Sequence, residues 1–113
     1  MRIGPEAQIQ IALKQFCDLH KIPMMHFAGE RKCSLQYGGF LKKLGSRAGV
    51  SDCYFPRGNN IFSCLWMELK SKGKKPTKLQ IKFMEDMAAE GHATTWCDNI
   101  DEAIEFIRVF YSL

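Results

Sequence analysis

The chain has 113 residues, 46% apolar and 25% charged, with a formal net charge of +4; that balance fits one domain, residues 1–113, with a modest core of its own. No apolar run reaches membrane-spanning length, and Met1-Arg2-Ile3-Gly4-Pro5-Glu6 lacks the apolar stretch of a secretion signal, so the expected location is the cytoplasm. Cys17, Cys33, Cys53, Cys64 and Cys97 are odd in number and show no Cys-x-x-Cys spacing, which argues against a zinc site or a disulfide framework.

Pro5 opens the first predicted helix, which should run to about His20, because a first turn has no use for the missing amide. Ile9, Ala12, Leu13 and Phe16 form its apolar stripe. Glu6 falls on the same inward side, where it is either a functional group or an acid that suits the helix dipole. Residues 22–27 read as a short strand. Residues 28–49 carry five glycines and scattered lysines, and read as a loop with a helical turn near 40–44.

Next comes a hairpin. Ser51 to Pro56 and Ile61 to Lys70 flank an Arg-Gly-Asn-Asn turn signal, with paired positions summing to about 118–120. That register sets Asp52 opposite residues 66–68. Glu68 and Lys70, two apart on a strand, leave the same face, while Leu69 points into the core. After a turn at 72–76, Thr77 caps a helix over 78–90 that Gly91 ends. Gln80, Phe83, Met84 and Met87 share one face of it. Residues 92–97 form a further strand, and 99–102 read as a capping box opening a last helix that runs to about Ser112. Phe106, Val109 and Phe110 widen that helix's apolar arc beyond what one sheet face needs, which points to a partner subunit. The order helix, strand, strand, strand, helix, strand, helix, with apolar 61–69 central, predicts an α/β sandwich: a mixed β-sheet flanked by helices.

Charge is unevenly placed. Arg31, Lys32, Lys42, Lys43 and Arg47 form one run without an acid, and six lysines between Lys70 and Lys82 form another. Both flank the hairpin, as expected if a polyanion lies over it. Lys42, Lys43, Arg47, Lys72, Lys74, Lys75 and Lys78 are the expected phosphate contacts. Three charges, Asp52, Glu68 and Lys70, converge where an apolar strand ends. That is costly unless they pair or hold a cation. Two carboxylates and the Leu69 carbonyl suit a hard divalent ion such as Mg²⁺, which keeps several waters. Lys70 beside it would orient or deprotonate a water, or offset charge on a phosphorus. Glu-x-Lys alone is common as a surface ion pair; Asp52 across the hairpin and Gln80 at the next helix start are what raise the functional reading.

Residues 41–52 (Leu-Lys-Lys-Leu-Gly-Ser-Arg-Ala-Gly-Val-Ser-Asp), Trp66-Met67-Glu68-Leu69-Lys70, Leu79-Gln80, and Gly91 before a strand together resemble a VRR-NUC domain, the virus-type replication-repair branch of the PD-(D/E)xK nucleases. The resemblance covers nearly the whole chain. It implies a restriction-endonuclease-like fold and a metal-dependent, structure-selective DNA endonuclease using Mg²⁺ or Mn²⁺. The family's first-helix acid falls on Glu6, its metal aspartate on Asp52, its Glu-x-Lys on Glu68 and Lys70, and its helix glutamine on Gln80. Ser51 stands where the family name expects proline. Small stand-alone members resemble phage-encoded homodimers acting on branched DNA such as four-way (Holliday) junctions in DNA repair. The alternatives are a non-catalytic DNA-binding or scaffold protein on the same fold, and a nuclease preferring flaps or single strands.

Overall fold

The Asn59 side chain accepts from the backbone N–H groups of Ile61 (2.9 Å) and Phe62 (2.8 Å), and this local bonding decides where the hairpin strands begin and end. Side-chain-to-backbone bonds of this kind compete with strand pairing. The Phe62 carbonyl lies so close to Gly58 that an added Cβ would sit 2.2 Å from its oxygen. Residues 58–63 therefore make a tight loop. The strand predicted over 61–69 is correspondingly short.

The computed structural model describes residues 2–27 and 35–113. Arg31, Lys32 and Cys33, with the early part of the 28–49 segment, lie outside the described residues. The described elements are α1 (Pro5–Leu19), β1 (Met25–His26), α2 (Leu35–Lys43), β2 (Cys53–Phe55), β3 (Leu65–Leu69), α3 (Lys78–Ala89), β4 (Ala93–Cys97) and α4 (Ile100–Tyr111). The strand expected over 22–27 shrinks to Met25–His26. Where only a helical turn was expected near 40–44, α2 runs for nine residues despite its two glycines.

The sheet order is β1-β2-β3-β4. β2 and β3 pair antiparallel as Cys53↔Met67, Tyr54↔Trp66 and Phe55↔Leu65, within the predicted register. β3 and β4 are parallel, and α3 makes the crossover that a parallel pair requires. The mixed sheet flanked by helices is the architecture read from the sequence. Leu65, Met67 and Leu69 face a core completed by Leu13 and Cys17 of α1 and by Ala103, Ile107 and Phe110 of α4. Trp66 and Glu68 leave the opposite face, toward α3, whose Phe83 packs edge-on to Trp66 at 5.0 Å. Among the described residues no helix is long and apolar enough to cross a membrane.

One expectation fails here. Phe110 is not part of a surface patch: it is 7% exposed and stacks on Phe62 at 6.2 Å and Phe106 at 6.0 Å. The tight loop folds back over it, with the Asn59 amide donating to the Phe110 carbonyl (3.1 Å) and the Tyr111 hydroxyl to the Arg57 carbonyl (2.7 Å). Only Val109, 71% exposed, faces solvent squarely. Phe110→Ala should therefore lower unfolding stability by about 3–5 kcal/mol, the usual cost of emptying a buried phenylalanine site. Val109→Ala should stay within about 0.5 kcal/mol. Urea denaturation of both variants checks the contrast.

Candidate metal and nucleic-acid site

Glu68 sits at the centre of the polar cluster, on the α3-facing side of β3 and only 2% exposed. Three contacts fix the cluster. The Asp52 backbone N–H donates to Glu68 Oε2 (3.2 Å), and Asp52 Oδ2 accepts from the Leu69 N–H (2.9 Å). From the other side, Gln80 Nε2 donates to Glu68 Oε1 at 2.9 Å. Gln80 is aimed by its own helix end. Its Oε1 accepts from the Thr77 N–H (2.8 Å) while the Thr77 hydroxyl accepts from the Gln80 N–H (3.2 Å), a reciprocal capping box. With the amide oxygen so occupied, the NH₂ group must face Glu68. The structure thus joins Asp52, Glu68 and Gln80, and it brings Lys70 Nζ to 4.0 Å from Glu68 Oε1.

Burial is the chief reason the Glu68 carboxyl is pushed up to about 8. The charge and hydrogen bonding of Asp52 add to it, while Lys70 and the Asp52 N–H act in the opposite direction. Near neutrality this acid therefore keeps its proton, because a second full negative charge beside Asp52 in a dry site is unfavourable. A cation in place of that proton would remove the conflict. Among the described residues no group of three or more His, Cys, Asp or Glu side chains is gathered to hold a metal ion. The donor set on offer is two carboxylates plus the main-chain oxygen of Leu69, the residue whose N–H grips Asp52. All three are hard oxygen donors, which fits Mg²⁺ or Mn²⁺ and not a soft, thiolate-seeking ion.

Glu6 is placed differently from expectation. It is exposed, and Oε1 accepts from the Ser71 N–H (3.2 Å), just beyond the end of β3. The buried stripe of α1 is centred further on, at Leu13 and Cys17, so the first turn lies outside the core. Lys42, Lys43, Lys72, Lys74, Lys75 and Lys78 are exposed. The loop bearing three of them is anchored: Gly73, at φ +82°, donates its N–H to Asp98 Oδ2 (3.2 Å) just past β4. Arg47 departs from the set. Its guanidinium pairs with Asp86 (2.7 Å) and lies 5.2 Å from the Phe83 ring centroid, so its charge is engaged within the fold. Lys82 shares Asp86 at 2.8 Å. The carboxylate on α3 that holds both belongs to a stretch, Glu85 to Glu105, with seven acids and no base.

An aromatic group went unread in the sequence. Phe27, Tyr54 and Trp66 lie in mutual contact on the same face as Glu68, Phe83 meets Trp66 edge-on, and Trp66 Nε1 donates to His92 Nδ1 (3.0 Å). Its members come from four separate stretches of chain, so no local pattern announces it.

No family model matches this sequence, and no curated protein does. A solved structure described as a VRR_NUC domain protein does superpose, with a TM-score of 0.82 over 98% of this chain and 91% of that one, at 19% identity. The chain has the VRR-NUC fold. That likeness is one of architecture: a mixed sheet between helices, across nearly the full length of both chains. Within this VRR-NUC fold, Ser51 is buried beside Asp52, and the Asp52 carboxylate still meets β3 at Leu69. The replacement of the expected proline leaves the aspartate at the carboxylate pair.

Proposed function

We propose that this chain is a metal-dependent, structure-selective DNA endonuclease that hydrolyses phosphodiester bonds, with branched DNA such as four-way junctions as its substrate. The single observation that carries the reading is the Asp52–Glu68 pair, with Lys70 beside it and Gln80 holding Glu68. Asp52, Glu68 and the Leu69 carbonyl would hold the cation. When bound, Mg²⁺ or Mn²⁺ supplies a Lewis acid for the phosphoryl oxygen and acidifies water. Lys70 orients a water or offsets charge building on the phosphorus. Gln80 keeps the Glu68 carboxyl turned toward Asp52. Glu6 reaches the site only through Ser71, so its part is to steady the end of β3. The non-catalytic alternative is disfavoured because a scaffold has no use for a buried acid, Glu68, set in conflict with a second acid beside it.

The basic surface supplies the grip on phosphate. Neutralising Lys72, Lys74 and Lys75 together is expected to weaken DNA binding without moving the cut position. Each lost contact should flatten log affinity against log salt by about 0.9 for duplex DNA. An unchanged slope in a salt titration places the DNA on another surface. Junction cleavage needs two symmetric cuts, so the reading includes a homodimer. With Phe110 inside the core, Phe106 and Val109 are what remains of the α4 patch expected to carry that dimer. Sedimentation at micromolar concentration distinguishes it from a 13.0 kDa monomer. A cytoplasmic site of action in a bacterial or phage-infected cell goes with the same reading.

The experiment is a substrate panel of four-way junction, flap, duplex and single strand, each with Mg²⁺, Mn²⁺ or EDTA. Cation-dependent internal cuts, fastest on a branched substrate, are the expected result. DNA bound with no cut on any substrate returns the scaffold reading. Equal rates on all four leave a nuclease without structure selectivity.

A further inference from the structure

We infer that Trp96 is a stacking platform, beside the Asp52–Glu68 pair, for a DNA base left unpaired where a branched substrate opens. This rests on the nuclease reading and deepens it. The β3–β4 register pairs Glu68 with Trp96. Side chains of paired residues leave the same face, so the indole stands one strand spacing, about 4.8 Å, from the carboxylate-bearing strand. β4 is an edge strand, and Trp96 is 38% exposed there.

The two tryptophans of the chain differ in what holds them. Trp66 contacts Phe27, Tyr54 and Phe83 and its N–H reaches His92. Trp96 has no ring contact and no hydrogen-bond partner for its N–H among the described residues. A buried or half-buried tryptophan ordinarily satisfies that group. An unengaged indole in register with the central acid has its π-face and its donor free for a ligand.

The surroundings say which ligand. The Gly73–Asp98 bond ties the loop carrying Lys72, Lys74 and Lys75 to a residue two positions past Trp96, and Lys78 follows at the start of α3. Exposed aromatic face and cationic rim together are how proteins hold unpaired strands: lysines take the phosphates and the ring takes a base. A continuous duplex keeps its base faces stacked inside and has nothing to offer Trp96. A flap, a single strand or an opened branch point does.

The test is binding of labelled oligonucleotides in EDTA, so that no strand is cut. Trp96→Ala should lose roughly 5- to 150-fold in affinity for single-stranded and flap DNA, the range for one base–aromatic stack, and keep the parent's affinity for duplex. Trp96→Phe should retain most of the binding, yet lose the fluorescence quenching that single-stranded DNA produces in the parent. Equal losses on duplex and single strand, or no loss on either, overturn the inference. The two readings separate cleanly. Selective loss in Trp96→Ala with no cleavage by the parent would sink the nuclease and leave the platform. Cleavage without selective loss would do the reverse.

Discussion

Asp52→Asn and Glu68→Gln should each lower cleavage by ~10²–10³-fold or more, the loss usual when one electrostatic contributor to a transition state is removed, while binding DNA at least as tightly as the parent. The amide variants are chosen for what they keep. The Asp52→Asn side chain retains an oxygen for the Leu69 N–H, which alanine would leave buried and unpaired at a cost of about 1–3 kcal/mol. The amide introduced by Glu68→Gln still has an oxygen to receive Gln80 or the Asp52 N–H. Loss of activity in these variants therefore reports the missing charge and not a collapsed site. DNA affinity in EDTA should not fall: Asp52→Asn removes a negative charge near a basic surface, and Glu68→Gln replaces a carboxyl that already holds its proton near neutrality. Either variant cutting near the parental rate would take that residue out of the ligand set.

The second large effect is one of pH. Glu68 has an ordinary value of 4.5 and is pushed up to about 8 in the fold. At pH below 4.5 both the folded and unfolded chains hold the proton. Between 4.5 and about 8 the unfolded chain releases it and the folded chain does not, so stability is greatest on the acid side and is lost as pH rises toward 8. Above that the decline attributable to this group stops. Glu68→Gln should remove the decline, which thermal melts across that window would read. A divalent ion must displace the same proton. Its apparent affinity should therefore climb about tenfold per pH unit up to about 8 and level off beyond. A Mg²⁺ affinity that stays flat from about pH 6 to 8, measured by calorimetry, would mean that Glu68 is not a ligand.

The parts of this molecule that were legible in the sequence are those whose signal is local. The apolar run over 61–69 placed β3, the two-residue side-chain repeat of a strand gave the face of Glu68, and a turn rich in glycine and asparagine set the register with β2. Thr77 and Gly91 marked the ends of α3. What was not legible is long-range. Arg47 looks like a phosphate contact until Asp86, on another element, is seen to hold it. Phe110 looks exposed on a helical wheel until Asn59 folds a loop over its helix. Glu6 shares a wheel face with Leu13, yet its turn lies outside the core. Trp96 carried no sequence signal at all, because its place beside Glu68 exists only through parallel pairing across a crossover.

The central claim is that Asp52 and Glu68 form a single divalent-cation centre. Titrating Mn²⁺ into ¹⁵N-labelled protein tests it most directly, since the paramagnetic ion broadens the resonances nearest to it. The backbone amides of Asp52, Leu69 and Lys70 and the side-chain NH₂ of Gln80 should vanish first, at substoichiometric Mn²⁺, and should survive in Glu68→Gln. Broadening centred elsewhere, or the same pattern in Glu68→Gln, would contradict the claim.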